Sequence, residues 1–276
     1  MHTRWGWLSV CVLAAGCGGE PPAESTAPPA QPMRVVSLDL CADQYVLKLL
    51  DRKRILAVSP VATEDFSYMR DAARGVAVVR PLAEDVLVLK PDLVVRSYGG
   101  GPNATAFFER AGVPVLNVGW ASDIPAVLST IQALADGLGE SARGAEVVAE
   151  MRARLDTLPE IDVRSALYMT PAGVTTGPGS LVHEMLVTAG LSNFQTQRGW
   201  QPIPLERLAY DQPDQIAAAF FDSRTNHPDG WSPMRHPIAR AQLSGRPVVP
   251  LKGAWTACSG WYLMDAVEAL AAGAGT

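Results

Sequence analysis

The sequence has 276 residues, which is enough for one large or two smaller domains. Hydrophobic residues make up 48% of the chain and charged residues 18%, so it can bury a substantial core and is not typical of disordered protein. The formal net charge is -5, which argues against nucleic acid as a partner.

The N-terminal segment predicts export from the cytoplasm. Arg4 precedes an apolar stretch over 5–15 that ends in small residues, the order of a secretory signal peptide at 1–16. The last residues before Cys17 resemble a bacterial lipobox, in which the cysteine becomes the lipidated first residue; the alternative is an ordinary signal with an incidental cysteine. A Pro-rich linker follows over 17–33. We therefore expect a body tethered by its lipid in the periplasm or at the outer cell face.

The next segment, 34–137, has the pattern of an α/β lobe. Apolar, β-branched runs predict strands at 35–38, 55–58, 76–79, 92–95 and 113–118. Helical spacing predicts helices at 41–50, 83–89 and 104–111. Because the strands show no polar alternation and helices separate them, the pattern indicates a parallel sheet covered on both faces.

A long helical segment follows the first lobe. Residues 124–158 favour helix with one break near 137–139, and the part from 140 to 158 would span ~28 Å. Strands and helices then alternate again, with strands predicted at 166–169, 218–221 and 248–249 and helices at 180–189 and 262–272. The sequence thus predicts two α/β lobes, 34–137 and 161–276, joined by a connecting helix within 138–160.

Only two cysteines remain for the folded body. Cys11 lies in the signal segment and Cys17 is the predicted lipidation site, which leaves Cys41 and Cys258. An exported protein can form a disulfide between them, but the sequence does not say whether they are close enough. No CxxC pair or His cluster occurs, so no metal site is expected.

Candidate ligand contacts come from the carboxyl ends of the predicted strands, where ligands bind in parallel sheets. Several tryptophans lie there among Gly, Pro and Ser, and exposed loop aromatics favour a flat, apolar ligand. No nucleophile elbow, phosphate loop or HExxH pair occurs, so no catalytic residue is assigned. The predicted ligand-binding residues are Asp39, Leu40, Cys41, Pro60, Tyr98, Trp120, Thr170, Trp200, Asp222 and Trp255.

Three strings carry a family resemblance. RVVSLDLCADQYVLKLL (34–50), LAEDVLVLKPDLVV (82–95) and ERAGVPVLNVGW (109–120), followed by the long helix, resemble the iron-siderophore and cobalamin class of periplasmic substrate-binding proteins of ABC importers. The resemblance covers roughly 34–272. It implies two Rossmann-like lobes with parallel sheets joined by one rigid helix, the class III architecture, with a ligand in the cleft. It also implies a monomer that works with an ABC permease and its ATPase, catalyses no reaction and uses no cofactor.

The resemblance also assigns two carboxylates. Glu84 and Glu206 match the acidic residues, one on each lobe, that meet an arginine of the permease. One charge on each lobe would orient docking and speed encounter. The alternative is that both are solvated glutamates, favoured in the first turn of a helix.

The ligand class is left between two alternatives. A corrinoid is neutral overall and apolar at its edge, so the aromatic side chains Tyr98, Trp120, Trp200 and Trp255 favour cobalamin. The alternative is an iron siderophore or haem, for which Arg96 or Arg224 would meet an anion.

Three further questions stay open at this stage. Asp39 is expected to bond a corrin amide, to cap the following helix or to indicate a different ligand altogether. Cys41 and Cys258 either fix the lobes by a disulfide or contact the chelate as thiolates. An enzyme on the same scaffold is the less favoured function, since a metallocluster protein needs more cysteine ligands.

Overall fold

The computed structural model describes residues 2, 34–160, 162, 164–221 and 232–274. The chain divides into two units, 1–30 and 31–276, and the description below concerns the second unit alone. The predicted signal segment (apart from residue 2), the predicted linker, Cys17 and Asp222 lie outside the described residues. No helix in the described part is long and apolar enough to cross a membrane.

The first half of the body is built on a four-stranded parallel sheet in the order β2-β1-β3-β4. Its strands are β1 (Val35–Ser37), β2 (Ile55–Ala57), β3 (Leu93–Arg96) and β4 (Val115–Asn117). Its helices are α1 (Leu40–Leu49), α2 (Arg70–Ala73), α3 (Ala83–Val88) and α4 (Ala104–Arg110), with a 3-10 turn at Arg52–Arg54. The prediction of a strand at 76–79 is wrong. This segment forms only a single bridge, Val58 to Val78, because residues 77 and 78 are exposed beyond the edge strand β2.

The second half repeats this plan with a parallel sheet in the order β10-β9-β5-β7. Its strands are β5 (Arg164–Met169), β7 (Leu191–Asn193), β9 (Gln215–Ala219) and β10 (Val248–Leu251). Its helices are α7 (Leu181–Thr188), α8 (Leu205–Leu208), α9 (Pro237–Ala241), α10 (Gly253–Thr256) and α11 (Leu263–Ala274), with a 3-10 turn at Pro233–Arg235.

A small antiparallel pair accompanies the second sheet. It consists of β6 (Val174–Thr176) and β8 (Trp200–Pro202), and Thr176 pairs with Trp200. The sequence placed Trp200 in a loop, and this is wrong: the residue opens a short strand. Only three residues of each strand pair, and the segment around Trp200 has no apolar run. A strand therefore cannot be recognised there from the alternation of apolar and polar residues.

Two helices connect the halves: α5 (Ile124–Gly137) and α6 (Ser141–Asp156). The 16 residues of α6 make it ~24 Å long. Near its start, Arg54 pairs with Glu140 and donates to the Leu138 carbonyl at 2.7 Å. At its end, the Arg154 guanidinium binds carboxylates of α11. Charged contacts to each half therefore hold α6 at both ends, the role that the sequence assigns to a rigid connecting helix.

The Arg154 contacts have the two-pronged geometry of strong ion pairs. Its Nε and Nη2 donate to Glu268 at 2.7 and 2.8 Å, and Nη2 also donates to Asp265 at 2.7 Å.

A continuous apolar core runs through both halves. It includes Tyr45 of α1, Ile131 of α5, Met151 of α6 and Tyr168 of β5, all of them fully buried. The α/β class with parallel sheets predicted from the sequence is confirmed. The lobe boundaries at 137 and 161 stay a prediction, since one core spans them.

Candidate ligand-binding cleft

A cavity of about 420 Å³ opens where the carboxyl ends of the strands meet. This is the ligand position expected of parallel α/β sheets, and the volume is in the range of small-molecule sites. The first half contributes Cys41, Ser97 and residues 118–121 to its wall. The second half contributes Tyr168, 179–182, Met185, Gly199, Trp200, Phe220, 256–259 and Leu263.

Two indole side chains, one from each half, dominate the rim of this cavity. Trp120 follows β4 and is 89% exposed, and Trp200 opens β8 and is 57% exposed. The Trp200 ring meets the edge of Tyr168 with centroids 6.2 Å apart, which orients it. Large exposed aromatics beside a cavity are typical of surfaces that bind a flat, apolar ligand.

The described wall of the cavity carries no charged side chain. Its polar groups are hydroxyls of Ser97, Ser180, Thr256 and Ser259 and the phenol of Tyr168, whose pKa burial raises above its ordinary value. An anionic ligand would lose its hydration here without gaining a counter-charge from the described residues, which is costly. The wall is suited to a ligand that is neutral and offers hydrogen-bonding groups.

A disulfide between Cys41 and Cys258 forms part of the wall. Their Cα atoms are 5.5 Å apart, and the bond joins α1 to the segment between α10 and α11. Beside it, the Tyr45 hydroxyl donates to the Ser259 carbonyl at 2.8 Å, a second link between the halves. The pair is bonded, so the alternative of two thiolates contacting a chelate does not hold for this structure.

Asp39 does not line the cleft, but its carboxylate binds backbone groups of the segments that form the cleft. One carboxylate oxygen accepts from the Ala42 N–H at 3.1 Å and so caps α1. The other accepts from the backbone N–H groups of Ser97, Tyr98 and Gly99 at 2.7, 3.0 and 2.8 Å. The carboxylate is buried and fully used by the protein, which settles the open question: Asp39 caps the helix and holds the loop that carries Ser97.

Arg96 holds the same loop from its other side. Its buried guanidinium donates to the carbonyls of Gly99 and Gly101 at 2.7 and 2.9 Å and to Thr105 Oγ1 at 3.0 Å. These bonds use the side chain within its own loop. The sequence-based suggestion that Arg96 meets an anionic ligand is therefore wrong, and Arg224 lies outside the described residues.

A buried carboxylate lies one turn further along α1. Burial raises the pKa of Asp43 to about 6, although hydrogen bonds from the Ser59 N–H (3.0 Å) and hydroxyl to the ionised form oppose this shift. Asp43 thereby ties α1 to the residue that follows the second strand of the sheet.

The remaining predicted contacts do not line this cavity, and their contact with a ligand stays a prediction. Leu40 is buried in the first turn of α1, and Pro60 is exposed but outside the cavity wall. Tyr98 lies next to Ser97 and is largely exposed, and it does not line the cavity; partial desolvation, followed by the Asp39 charge, raises the pKa of its phenol. The Thr170 hydroxyl bonds the Val174 backbone, and Trp255 lines a different cavity.

Cys41, Trp120 and Trp200 are the predicted residues that the structure brings together in the cleft. Their contact with a ligand stays a prediction. Sequence reasoning missed Phe220, whose φ of 65° is rare for a non-glycine residue and marks a constrained position at the end of β9. It also missed residues 179–182, where a glycine and a helix-capping Ser180 were the available signal.

The two glutamates predicted to contact a permease lie on short helices. Glu84 is exposed in the first turn of α3, and Glu206 is exposed in the first turn of α8. Neither helix has a side-chain cap at its N-terminus. Their role in docking stays a prediction.

This architecture defines a class of protein. Two parallel α/β halves, a connecting helix and a cleft at the strand ends form the fold of class III periplasmic binding proteins. A periplasmic haem-binding protein from Pseudomonas aeruginosa superposes with a TM-score of 0.64 at 23% identity, covering 88% of this chain and 92% of that one. A periplasmic vitamin B12 binding protein of Vibrio cholerae gives 0.59 at 18% identity, covering 89% and 97%.

The family follows from sequence comparison. A family model described as periplasmic binding protein matches residues 35–225, and the chain belongs to this family, whose members bind transported ligands and are not enzymes. A cobalamin-binding protein of Halobacterium salinarum is 27% identical over 218 residues. That match covers 74% of this chain but only 59% of the relative, so the chain corresponds to somewhat more than half of it.

Proposed function

We propose that this protein is the substrate-binding component of an ABC importer and that it captures a cobalamin-type corrinoid between its two halves. The observation that carries the proposal is the cleft itself, which places Trp120 and Trp200 at the rim of an otherwise uncharged described wall. A corrinoid offers a flat, apolar macrocycle for the indoles and peripheral amides for the wall hydroxyls.

The absence of charged side chains from the described wall supports a corrinoid over the anionic alternatives. Haem carries two propionates and catecholate siderophores carry several negative charges, and the described wall offers neither an arginine nor a lysine to meet them. The similarity to a cobalamin-binding protein of Halobacterium salinarum also supports this choice. The solved haem-binding relative supports the fold alone, since its identity is 23%.

Delivery to the permease is the second part of the proposal. Glu84 and Glu206 would each meet a basic side chain of the permease, whose ATPase then drives transport. The protein would act as a monomer, since each half already supplies one of the two glutamates.

Tethering is the third part. Removal of residues 1–16 would leave Cys17 as the lipidated first residue, and the Pro-rich segment 17–33 would separate the lipid from the body. A mass measurement on the protein purified from membranes should then show a chain that begins at Cys17 and carries acyl groups. An unmodified N-terminus after residue 17 would contradict the tether and leave ligand binding untouched.

The ligand is tested by calorimetric titration of the purified body, residues 34–276 with its disulfide intact. The panel contains cyanocobalamin, a ferric hydroxamate, a ferric catecholate and haemin. We expect cyanocobalamin to give saturable heat and to raise the unfolding temperature, as binding to the native state must. Tight binding of haemin or the catecholate with no response to cyanocobalamin would overturn the corrinoid assignment and favour the anionic chelate.

A further inference from the structure

Phe220 has a backbone conformation that a bulky side chain rarely adopts. Its φ is 65°, in the left-handed region where a Cβ crowds the following carbonyl oxygen. Lys90 is the other non-glycine residue with a positive φ in the described part of the chain. Lys90 follows the end of α3, a position where helices commonly turn left-handed. Phe220 instead follows the strand β9, where an extended backbone is the rule.

The left-handed turn changes the side of the sheet that this ring faces. Successive side chains of a strand point to opposite faces. Ala217 and Ala219 pack into the core that runs through both halves, and Ile216 and Ala218 pack into a separate apolar cluster. Strict alternation would place residue 220 with Ala218, yet the Phe220 ring packs against the core and lines the cleft. The turn therefore gives the cleft an aromatic ring that a regular strand would direct to the other face.

The irregularity is confined to this one residue. Phe221, the next residue, lines the other cavity together with Ala218. The Phe220 N–H donates to the Leu251 carbonyl at 3.3 Å, so the pairing of β9 with β10 continues up to the turn. The strand is therefore regular until the chain reaches the cleft, and only the residue that lines the cleft departs from it.

A glycine makes room for the ring. A Cβ on Gly253, the first residue of α10, would lie 2.8 Å from Cδ1 and 3.1 Å from Cε1 of Phe220, so the ring would have to move. Gly253 has no positive φ, and its glycine is therefore explained by close packing and not by backbone conformation. The same Cβ would lie 3.4 Å from the Cβ of Phe66, in the first half. The ring thus lies against the backbone where the two halves approach each other.

We infer that Phe220 is a specificity-determining residue of the cleft, and that its strained backbone is retained because it turns the ring toward the ligand. This inference rests on the proposed function and concerns the same cleft. Residues held in strained conformations persist only where the surrounding structure imposes them, and they are concentrated at ligand sites. With Trp200 in its own half and Trp120 in the other, the ring would give a flat, apolar ligand a third aromatic contact. Phe220 would then raise ligand affinity and lower the stability of the protein.

The first test compares Phe220→Ala with Phe220→Gly in the purified protein. Both variants lose the ring, but glycine alone adopts the left-handed conformation without strain. We expect both to bind cyanocobalamin at least about tenfold more weakly than the wild type in calorimetric titration. We also expect Phe220→Gly to unfold at a higher urea concentration than Phe220→Ala. Ala219→Gly, at the preceding extended position, is the control and should unfold at a lower urea concentration than the wild type.

Each half of the inference has its own contradicting result. Wild-type affinity in both Phe220 variants would overturn the contact with the ligand. A Phe220→Gly variant that is less stable than Phe220→Ala would overturn the strain. Phe220→Leu, which keeps much of the apolar volume without a flat ring, should bind weakly and unfold close to the wild type; wild-type affinity in this variant would also contradict the inference.

The second test moves the ring without removing it. Gly253→Ala should displace the ring and weaken cyanocobalamin binding several-fold. In the Phe220→Ala background the same change should leave affinity unaltered, because the added methyl group then meets no ring. Gly245→Ala is the control, since its Cβ would meet nothing closer than 3.4 Å and it lies outside the cleft wall. Equal losses from Gly253→Ala in both backgrounds would show that Gly253 acts independently of Phe220 and would overturn the inference.

Titration of the same proteins with haemin, a ferric hydroxamate and a ferric catecholate separates this inference from the proposed function. If the wild type binds one of these and not cyanocobalamin, the corrinoid assignment fails. The inference about Phe220 then stands if Phe220→Ala and Phe220→Gly weaken binding of that compound, and it fails if they do not. If the wild type binds cyanocobalamin and the variants bind it equally well, the inference fails and the proposed function stands. If the wild type binds no compound of the panel, both fail.

Discussion

Cys41 and Cys258, 217 residues apart in the sequence, are bonded to each other in the wall of the ligand cleft. The bond joins the first helix of the first half to the segment before the last helix of the second. Together with the charged contacts at both ends of α6, it opposes movement of one half against the other. The structure therefore favours a cleft of nearly fixed width, in which ligand selection depends on the shape and chemistry of its wall.

Removal of this disulfide should destabilise the protein. Cys41→Ser with Cys258→Ser loses a constraint on a long loop of the unfolded chain, which is worth about 2–5 kcal/mol. Urea unfolding followed by circular dichroism measures the effect. The reduced wild-type protein is the matched control and should unfold at the same urea concentration as the double variant. Equal stability of the oxidised wild type and the variant would show that the bond does not constrain the chain.

Asp39→Asn should destabilise the protein more than an ordinary helix-cap substitution. The Asp39 carboxylate serves four backbone N–H groups, and an amide cannot accept from all of them. Leaving buried donors unpaired costs about 1–3 kcal/mol each. Asp123 provides the control, because its carboxylate accepts only the Ala126 N–H among the described residues, and Asp123→Asn should cost under about 1 kcal/mol. Equal losses in the two variants would contradict the loop-holding role of Asp39.

The buried carboxylate of Asp43 should give stability a measurable pH dependence. Its pKa in the folded protein is about 6, above the ordinary value of 3.8. Its contribution is therefore fully present below about pH 4 and is lost as the pH rises through 6. In Asp43→Asn this dependence should vanish, so the wild type should lose about 3 kcal/mol relative to the variant between pH 4 and pH 7.

A control with the opposite sign is available on the surface. Hydrogen bonds from the Ser165 backbone and side chain lower the pKa of Asp214, so its contribution is lost as the pH falls. Relative to Asp214→Asn, the wild type should gain stability as the pH rises. Parallel pH profiles for the wild type and Asp43→Asn would refute the assignment for Asp43.

Much of the fold could be predicted because buried parallel strands consist of apolar residues on both faces. The runs at 35–38 and 92–95 became β1 and β3 for this reason, and the helix-favouring stretch from 124 became α5 and α6. The run at 76–79 looked the same in sequence but lies beyond the sheet edge, where it has a neighbour on one side only. Short elements such as β6 and β8 depend on pairing between distant residues, which periodicity does not report.

The site could be predicted only in part, because position at a strand end does not say where a side chain turns. Trp120 and Trp200 line the cleft, whereas Trp255, in the short helix α10 after the last strand, lines another cavity. Asp39 also lies at a strand end, but its carboxylate turns inward and accepts hydrogen bonds from three backbone N–H groups of the neighbouring loop. Such competition between protein and ligand for a polar group is a tertiary effect that no local pattern contains.

The central claim is that an uncharged corrinoid binds between the indoles of Trp120 and Trp200, and calorimetric titration of wild type and variants with cyanocobalamin tests it most directly. The account predicts saturable binding to the wild type and affinity at least about tenfold weaker in Trp120→Ala and in Trp200→Ala. Phe107→Ala, which removes an exposed aromatic of α4 outside the cleft wall, should bind as the wild type does. Equal affinity in the wild type and both tryptophan variants, or no binding of cyanocobalamin to any of them, would contradict the account.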